Sequence, residues 1–156
     1  MLVHLIADFG PSGLAFAELI QRFKLHLPQA EPVGTPVPPV ATLAAGFCAA
    51  QLALNPAPPG TVVFHNVAPR QDRAAGREDN DGERLAYALL PNGVKVVGVN
   101  ARYAFSFLRD EALELRFVDV PSSGSQFRSR DLFAAACAAL IRGEPGALAD
   151  PLEPST

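Results

Sequence analysis

Short apolar runs typical of buried strands alternate along this chain with the spacing typical of amphipathic helices. Leu2 to Ala7 is a nearly continuous apolar run, and Thr61 to Val67 is rich in β-branched residues. Apolar residues that recur every three or four positions predict helices over residues 14–27, 40–54 and 130–142. This alternation predicts an α/β fold with a mostly parallel central sheet and helices on both faces, a three-layer Rossmann-like arrangement.

Further strands are predicted in the second half of the chain. Leu85 to Leu90 and Val94 to Val99 flank an Asn-Gly turn, which is the strongest short-range signal for a β-hairpin. Leu113 to Val118 predicts one more strand. We therefore expect a single α/β domain over residues 1–143, followed by a proline-containing, disordered tail over residues 144–156.

Composition excludes two classes of partner. The chain has 156 residues, and its 13 Lys and Arg against 16 Asp and Glu give a net charge of −3. We expect no nucleic-acid partner, because such binding needs an excess of positive charge to neutralise phosphates. The longest uncharged apolar stretch, Val40 to Leu54, is too short to cross a bilayer, so we expect no membrane span. The first residues predict a strand rather than a signal peptide, which places the protein in the cytoplasm.

Cysteine and histidine spacing predicts no metal site. Cys48 and Cys137 lie in separate alanine-rich runs, where inert core thiols are expected. The histidines, His4, His26 and His65, have no second ligand at metal-binding spacing, and structural roles are favoured for them.

Loops at the carboxyl ends of the strands are where an open α/β sheet binds its ligands. Asp8 directly follows the first strand and could accept hydrogen bonds from a ribose diol, or it could cap a helix or its own turn. The loop over residues 122–126 is polar enough to wrap an anion or a hydroxylated ligand, and an ordinary flexible connection fits it equally well. No GxGxxG, Walker or GxSxG motif is present, which removes the main support for nicotinamide, P-loop and serine-hydrolase chemistry.

Five segments, in order, resemble the N-terminal domain of the S-adenosyl-L-methionine (SAM) hydroxide adenosyltransferase family, which also contains the SAM-dependent fluorinase and chlorinase. The family's TDFG motif is similar to Ala7-Asp8-Phe9-Gly10, and its STFHGRDIFAPAAAHLARG segment is similar to residues 125–143. The other three segments are residues 33–47, 59–69 and 97–100.

The resemblance implies a nucleoside site but not a catalytic one. It implies substrate-binding roles for Asp8, Phe9, Asn100, Ser125 and Phe127, with SAM as substrate or ligand and no separate cofactor. The family's water-activating Asp and His positions are Ala68 and Arg128 here, so we expect no catalytic residue.

Family members also carry a C-terminal β-barrel domain that holds the adenine at a subunit interface in a trimer, and the segments matched here cover only the N-terminal domain. Three hypotheses follow from the resemblance. The first is a non-catalytic descendant with weak affinity for adenosine or SAM. The second is an active SAM hydrolase with a rearranged site that uses Asp72 or Asp79. The third is half of a two-component assembly, in which a separate barrel-domain protein completes the site. For partners, the resemblance implies either that barrel-domain protein or a homo-oligomer like the family trimer.

Overall fold

A seven-stranded mixed sheet forms the centre of the protein, in a computed structural model that describes residues 1–10, 13–68, 83–121 and 127–152. The strand order across the sheet is β2-β1-β3-β5-β4-β6-β7. In chain order the strands are β1 (Leu2–Ala7), β2 (Glu31–Pro36), β3 (Val62–Asn66), β4 (Leu85–Leu89), β5 (Lys95–Val99), β6 (Glu114–Val118) and β7 (Leu148–Pro151). The helices are α1 (Leu14–His26), α2 (Thr42–Leu54) and α3 (Ala134–Ile141), and a π-helical turn (Ser129–Phe133) precedes α3.

Only half of the sheet is parallel, so the expectation of a mostly parallel sheet is corrected. β2, β1, β3 and β5 run parallel to one another, whereas β4, β6 and β7 each pair antiparallel to their neighbours. The tight turn over residues 91–93 reverses the chain between β4 and β5, and Gly93 takes the positive φ that this turn needs. The other edge of β4 pairs with β6, and β6 pairs with β7, so the antiparallel half of the sheet extends from the hairpin to β7.

The helices lie on both faces of the sheet, as predicted. α1 and α3 cover one face, where Phe23 and Phe133 pack over Phe64 and other strand residues. α2 covers the opposite face, where its buried residues are small ones such as Ala45 and Ala49. Small residues let α2 approach closely, and a Cβ added at Gly46 would lie 2.5 Å from the carbonyl oxygen of Tyr103.

Two strands lie where the sequence pattern predicted none. β2 contains Pro32 and Pro36, which is tolerated because β2 is an edge strand and pairs with β1 alone. β7 pairs with β6 at the opposite edge, within the segment predicted to be a disordered tail, and Leu152 after it is buried. The prediction of disorder is therefore wrong for residues 148–152, whose backbone groups form hydrogen bonds with β6, at least 30 residues earlier in the chain. No described helix is long and apolar enough to cross a membrane.

Candidate functional site

The carboxyl ends of β1, β3 and β5 meet at one edge of the sheet. From β1 the chain passes through α1 to β2 on one side, and then through α2 to β3 on the other side. The crevice between β1 and β3 is therefore a topological switch point, where open α/β sheets bind their ligands.

Asp8 lies at this switch point, directly after β1, and is only 9% exposed. Its Oδ2 accepts a hydrogen bond of 3.0 Å from the backbone N–H of Val40. Val40 precedes α2 and has a φ of 56°, which is rare and strained for a β-branched residue. The predicted alternative role as a cap of the following helix is not observed, because neither α1 nor α2 has a side-chain cap hydrogen bond, and Val40 lies one residue before Ala41, the N-cap residue of α2. Among the described residues, no other group donates to this carboxylate, so Oδ1 can still accept hydrogen bonds from a ligand.

Asn100 lies level with Asp8 on the same edge. Ala7 pairs with Asn66 and His65 pairs with Gly98, so this register brings Asp8, Val67 and Asn100 to the same height on adjacent strands. Two strand spacings separate β1 from β5, which is about 10 Å and within the span of a nucleoside. Asn100 is half-buried, and its backbone N–H donates to the carbonyl of Arg84 at 2.9 Å.

The other residues implied by the resemblance, Phe9, Phe127 and Ser125, differ in exposure and in whether the structure describes them. Phe9 is half-buried and makes an edge contact with Phe16, with ring centroids 5.5 Å apart. Phe127 is 60% exposed, with the guanidinium of Arg130 lying 4.9 Å from its ring centroid. Ser125 lies outside the described residues, as do Asp72 and Asp79.

The two positions that the resemblance matches to the family's catalytic groups, Ala68 and Arg128, hold no base. Ala68 packs against the core on the α1 side. Arg128 is half-buried, with its guanidinium carbon 4.8 Å from the ring centroid of Phe133 and its Nη1 3.5 Å from the carbonyl oxygen of Glu83. A guanidinium stays protonated at all ordinary pH values and cannot take a proton from water.

A charged cluster beside these positions ties two elements together. Arg130, in the π-helical turn, donates to both carboxylate oxygens of Asp131 at 2.7 and 3.1 Å and to Glu18 of α1 at 3.0 Å. These hydrogen bonds raise the pKa of the Arg130 guanidinium above its usual range. Because the cation is shared between two carboxylates, the cluster positions the π-helical turn against α1.

His65 is a buried group whose environment the sequence pattern did not predict. Its side chain is fully buried in β3, its ring lies 4.9 Å from that of Phe105, and neither ring nitrogen has a hydrogen-bond partner. Burial lowers the pKa of His65 to about 4, so the ring is neutral at pH 7. Gly98 makes room for it, since a Cβ there would overlap the imidazole. A glycine inside a β-branched strand was the one sequence signal for this close approach.

Cys48 lies in α2 and is half-buried, although a core thiol was expected there, and Cys137 lies in α3. Cys48 and Cys137 are free, and Cys137 is buried as predicted, with its pKa raised to about 12 by burial. Within the described part of the chain, no three His, Cys, Asp or Glu side chains are grouped so that they could hold a metal ion.

Comparisons with known proteins show the fold alone. No protein-family model and no curated protein matches this chain. It is similar in structure to an uncharacterized conserved protein from Thermotoga maritima, with a TM-score of 0.74 and 21% identity over 97% of this chain and 58% of that one. It is also similar to a conserved hypothetical protein from Thermus thermophilus, with a TM-score of 0.63 and 24% identity over 99% of this chain and 59% of that one. The chain thus spans less than two thirds of the length of either structure.

Proposed function

We propose that this protein binds the ribose of a nucleoside, in adenosine or SAM, at Asp8 and does not cleave SAM. The observation that carries the proposal is the position of Asp8 at the switch point between β1 and β3, in a sheet whose order begins β2-β1-β3, with one carboxylate oxygen held by Val40. A fixed carboxylate at such an edge is suited to a vicinal diol, whose two hydroxyl groups are both donors. Asn100, at the same height, adds an amide within the span of the ligand.

The absence of cleavage follows from the groups near the site. The sulfonium is already a good leaving group and needs no assistance from the protein. Displacement at the ribose C5′ carbon therefore depends on an oriented, partly desolvated water as the nucleophile. Ala68 has no side chain that could orient water, and Arg128 cannot act as a base. Within the described parts of the chain, the protein therefore has a group that can contact a nucleoside, Asp8, and neither matched position carries a group that activates water.

The affinity that this site can supply is low. One charge-assisted hydrogen bond contributes about 1.5 to 3 kcal/mol. Micromolar affinity requires about 8 kcal/mol, and millimolar affinity about 4 kcal/mol. Even with a second hydrogen bond from Asn100, the sum reaches only about the millimolar value, so we expect dissociation constants for adenosine and SAM in the millimolar range or weaker.

Calorimetric titration with adenosine and with SAM tests the proposal. Asp8→Asn should weaken binding of both ligands by about tenfold or more, because the charge is lost while the shape is kept. Asp119→Asn is the matched control, since Asp119 is an exposed aspartate after β6, at the same edge but four strands from β1, about 19 Å away. Failure of the wild-type protein to bind either ligand, or equal effects of the two variants, would reject the proposal.

A second candidate function is an active SAM hydrolase whose site another chain completes, either a separate barrel-domain protein or another copy. The basis for this candidate is the resemblance described above, in which the five matched segments all lie in the family's N-terminal domain. Chromatography for adenosine after incubation with SAM separates the two candidates. Release above the no-protein control would favour the hydrolase. Under our proposal there is none, and Arg128→His does not restore it because Ala68 remains.

We also place the protein in the cytoplasm. Cys48 and Cys137 are both free thiols, which is the usual state of cysteine in a reducing compartment.

A further inference from the structure

Arg84 lies on the same edge of the sheet as Asp8 and Asn100, and at the same height. Leu85 pairs with Val99, so Arg84 comes opposite Asn100, whose backbone N–H donates to the carbonyl of Arg84 at 2.9 Å. Adjacent strands are about 4.8 Å apart, which places the backbone of Arg84 about 5 Å from that of Asn100 and about 14 Å from that of Asp8. We call these three residues, Asp8, Asn100 and Arg84, the polar row.

The side chains of the polar row project from one face of the sheet, the face that α2 covers. Side chains alternate between the two faces along a strand, so residues two or four positions apart share a face. Such residues in the same three strands pack in the core on the α2 side: Ile6 for Asp8, Val96 for Asn100 and Ala86 for Arg84. A ligand that contacts Asp8 on this face therefore has Asn100 and then Arg84 along its path.

Arg84 is an exposed cation whose orientation is fixed by an aromatic ring. Its guanidinium carbon lies 3.7 Å from the ring centroid of Phe117, in β6. Stacking on a ring occupies the flat face of a guanidinium and leaves the N–H groups at its edge able to donate. Within the described ranges, no carboxylate forms an ion pair with Arg84, not even Asp119 just after β6. The cation is thus held in place but not neutralised.

We propose that the ligand whose ribose binds at Asp8 carries a phosphate on its 5′ carbon, and that Arg84 binds this phosphate. The inference rests on the proposed function, because Asp8 sets the position of the ribose. The 2′- and 3′-hydroxyl groups lie on the side of a ribose ring opposite to the 5′ carbon. With these hydroxyl groups at Asp8, the 5′ substituent extends from β1 along the polar row. There the Asn100 amide can donate to one phosphate oxygen and the Arg84 guanidinium to two.

The charge of Arg84 separates phosphorylated ligands from SAM. A phosphate monoester carries a charge of about −1.5 to −2 at pH 7, which the guanidinium attracts. SAM also has a carboxylate on its 5′ side, but its sulfonium and ammonium groups offset that charge and are repelled by Arg84. We therefore expect a nucleoside 5′-phosphate such as AMP to bind more tightly than adenosine or SAM.

NMR titrations of the full chain with AMP, adenosine and SAM test this inference. AMP should bind the wild-type protein at least about tenfold more tightly than adenosine, through charge-assisted hydrogen bonds, and should shift the side-chain Nε resonance of Arg84. Arg84→Gln should remove the preference for AMP. Arg22→Gln is the matched control and should keep it, because Arg22 is an exposed arginine on α1, which covers the opposite face of the sheet. Circular dichroism checks that both variants are folded.

The outcomes separate this inference from the proposed function. Adenosine binding with no preference for AMP in the wild type would overturn the inference and leave the proposed function intact, as would a preference that persists in Arg84→Gln. Failure of both ligands to bind would reject the proposed function as well. Ribose 5-phosphate identifies the source of the phosphate: affinity equal to that of AMP supports a free sugar phosphate as the ligand, and weaker affinity supports a nucleotide.

Discussion

The backbone N–H of Val40 donates a hydrogen bond of 3.0 Å to Asp8, 32 residues earlier in the chain. This bond joins the end of β1 to the start of α2, and it holds Val40 at a φ of 56° that a β-branched residue otherwise avoids. The same carboxylate is thus part of the fold and part of the candidate site.

Asp8→Ala should therefore lower the free energy of unfolding as well as weaken ligand binding. Loss of a hydrogen bond to a charged acceptor costs about 1.5 to 3 kcal/mol. Asp8→Asn keeps an oxygen that can accept from Val40 and should cost less than half as much. Urea denaturation measures both variants, with the exposed Asp119→Ala as the control expected to stay within about 0.5 kcal/mol of wild type. Equal stability of Asp8→Ala and wild type would show that the bond contributes nothing to the fold.

Acid should destabilise the protein through His65. Its pKa in the folded protein is about 4, against 6.5 for a solvated histidine. Between these pH values the unfolded chain binds a proton that the folded chain excludes, so stability present above pH 6.5 is lost as the pH falls towards 4. The difference corresponds to about 3 kcal/mol.

His65→Leu should remove most of this loss, since leucine has a similar volume and no proton to gain. It should also be neutral or stabilising at pH 7, because both buried ring nitrogens lack a partner. His26→Gln is the control that should retain the acid loss. His4, whose pKa burial also lowers, accounts for part of any residual slope. Urea denaturation at pH 7, 5.5 and 4.5, values that span the titration, provides the comparison. An unchanged pH dependence in His65→Leu would be inconsistent with a neutral buried imidazole.

Gly98→Ala should be severely destabilising, by about 3 kcal/mol or more, because the added methyl group would overlap the His65 ring. The same change in a His65→Ala background should cost less than about 1 kcal/mol, since the ring is then absent. Gly34→Ala, in edge strand β2, is a milder comparison because its Cβ would meet the Phe16 ring at 3.2 Å. A double-mutant cycle from thermal or urea unfolding measures the coupling. Additive effects would place the strain somewhere other than at this ring.

The elements that the sequence predicted correctly are those whose signal is local. β1, β3, α1, α2 and the β4–β5 hairpin each follow from apolar spacing or turn residues within a few positions. β2 and β7 depend on backbone pairing with a distant strand. Both contain proline, which in a sequence argues against a strand and which is tolerated here only because both strands lie at sheet edges. The direction of β6 likewise depends on which edge of β4 is free.

In the candidate site too, features with a local sequence signal could be predicted, and features that depend on contacts between distant residues could not. The position of Asp8 at the end of β1 was predictable, because an aspartate directly follows an apolar run. Its partner Val40 was not, since the bond depends on how α2 crosses the sheet. The burial of His65 without a partner depends on Gly98 and Phe105, neither of which is near it in sequence.

Titration of adenosine and 2′-deoxyadenosine into wild-type protein and Asp8→Asn tests the central claim most directly, because it pairs the protein carboxylate with one ligand hydroxyl. Wild-type protein should bind adenosine at least about tenfold more tightly than the deoxynucleoside, and Asp8→Asn should bind the two about equally. Asp119→Asn should keep the wild-type preference. Equal affinity of the wild type for both nucleosides, or a preference that persists in Asp8→Asn, would contradict ribose recognition by Asp8.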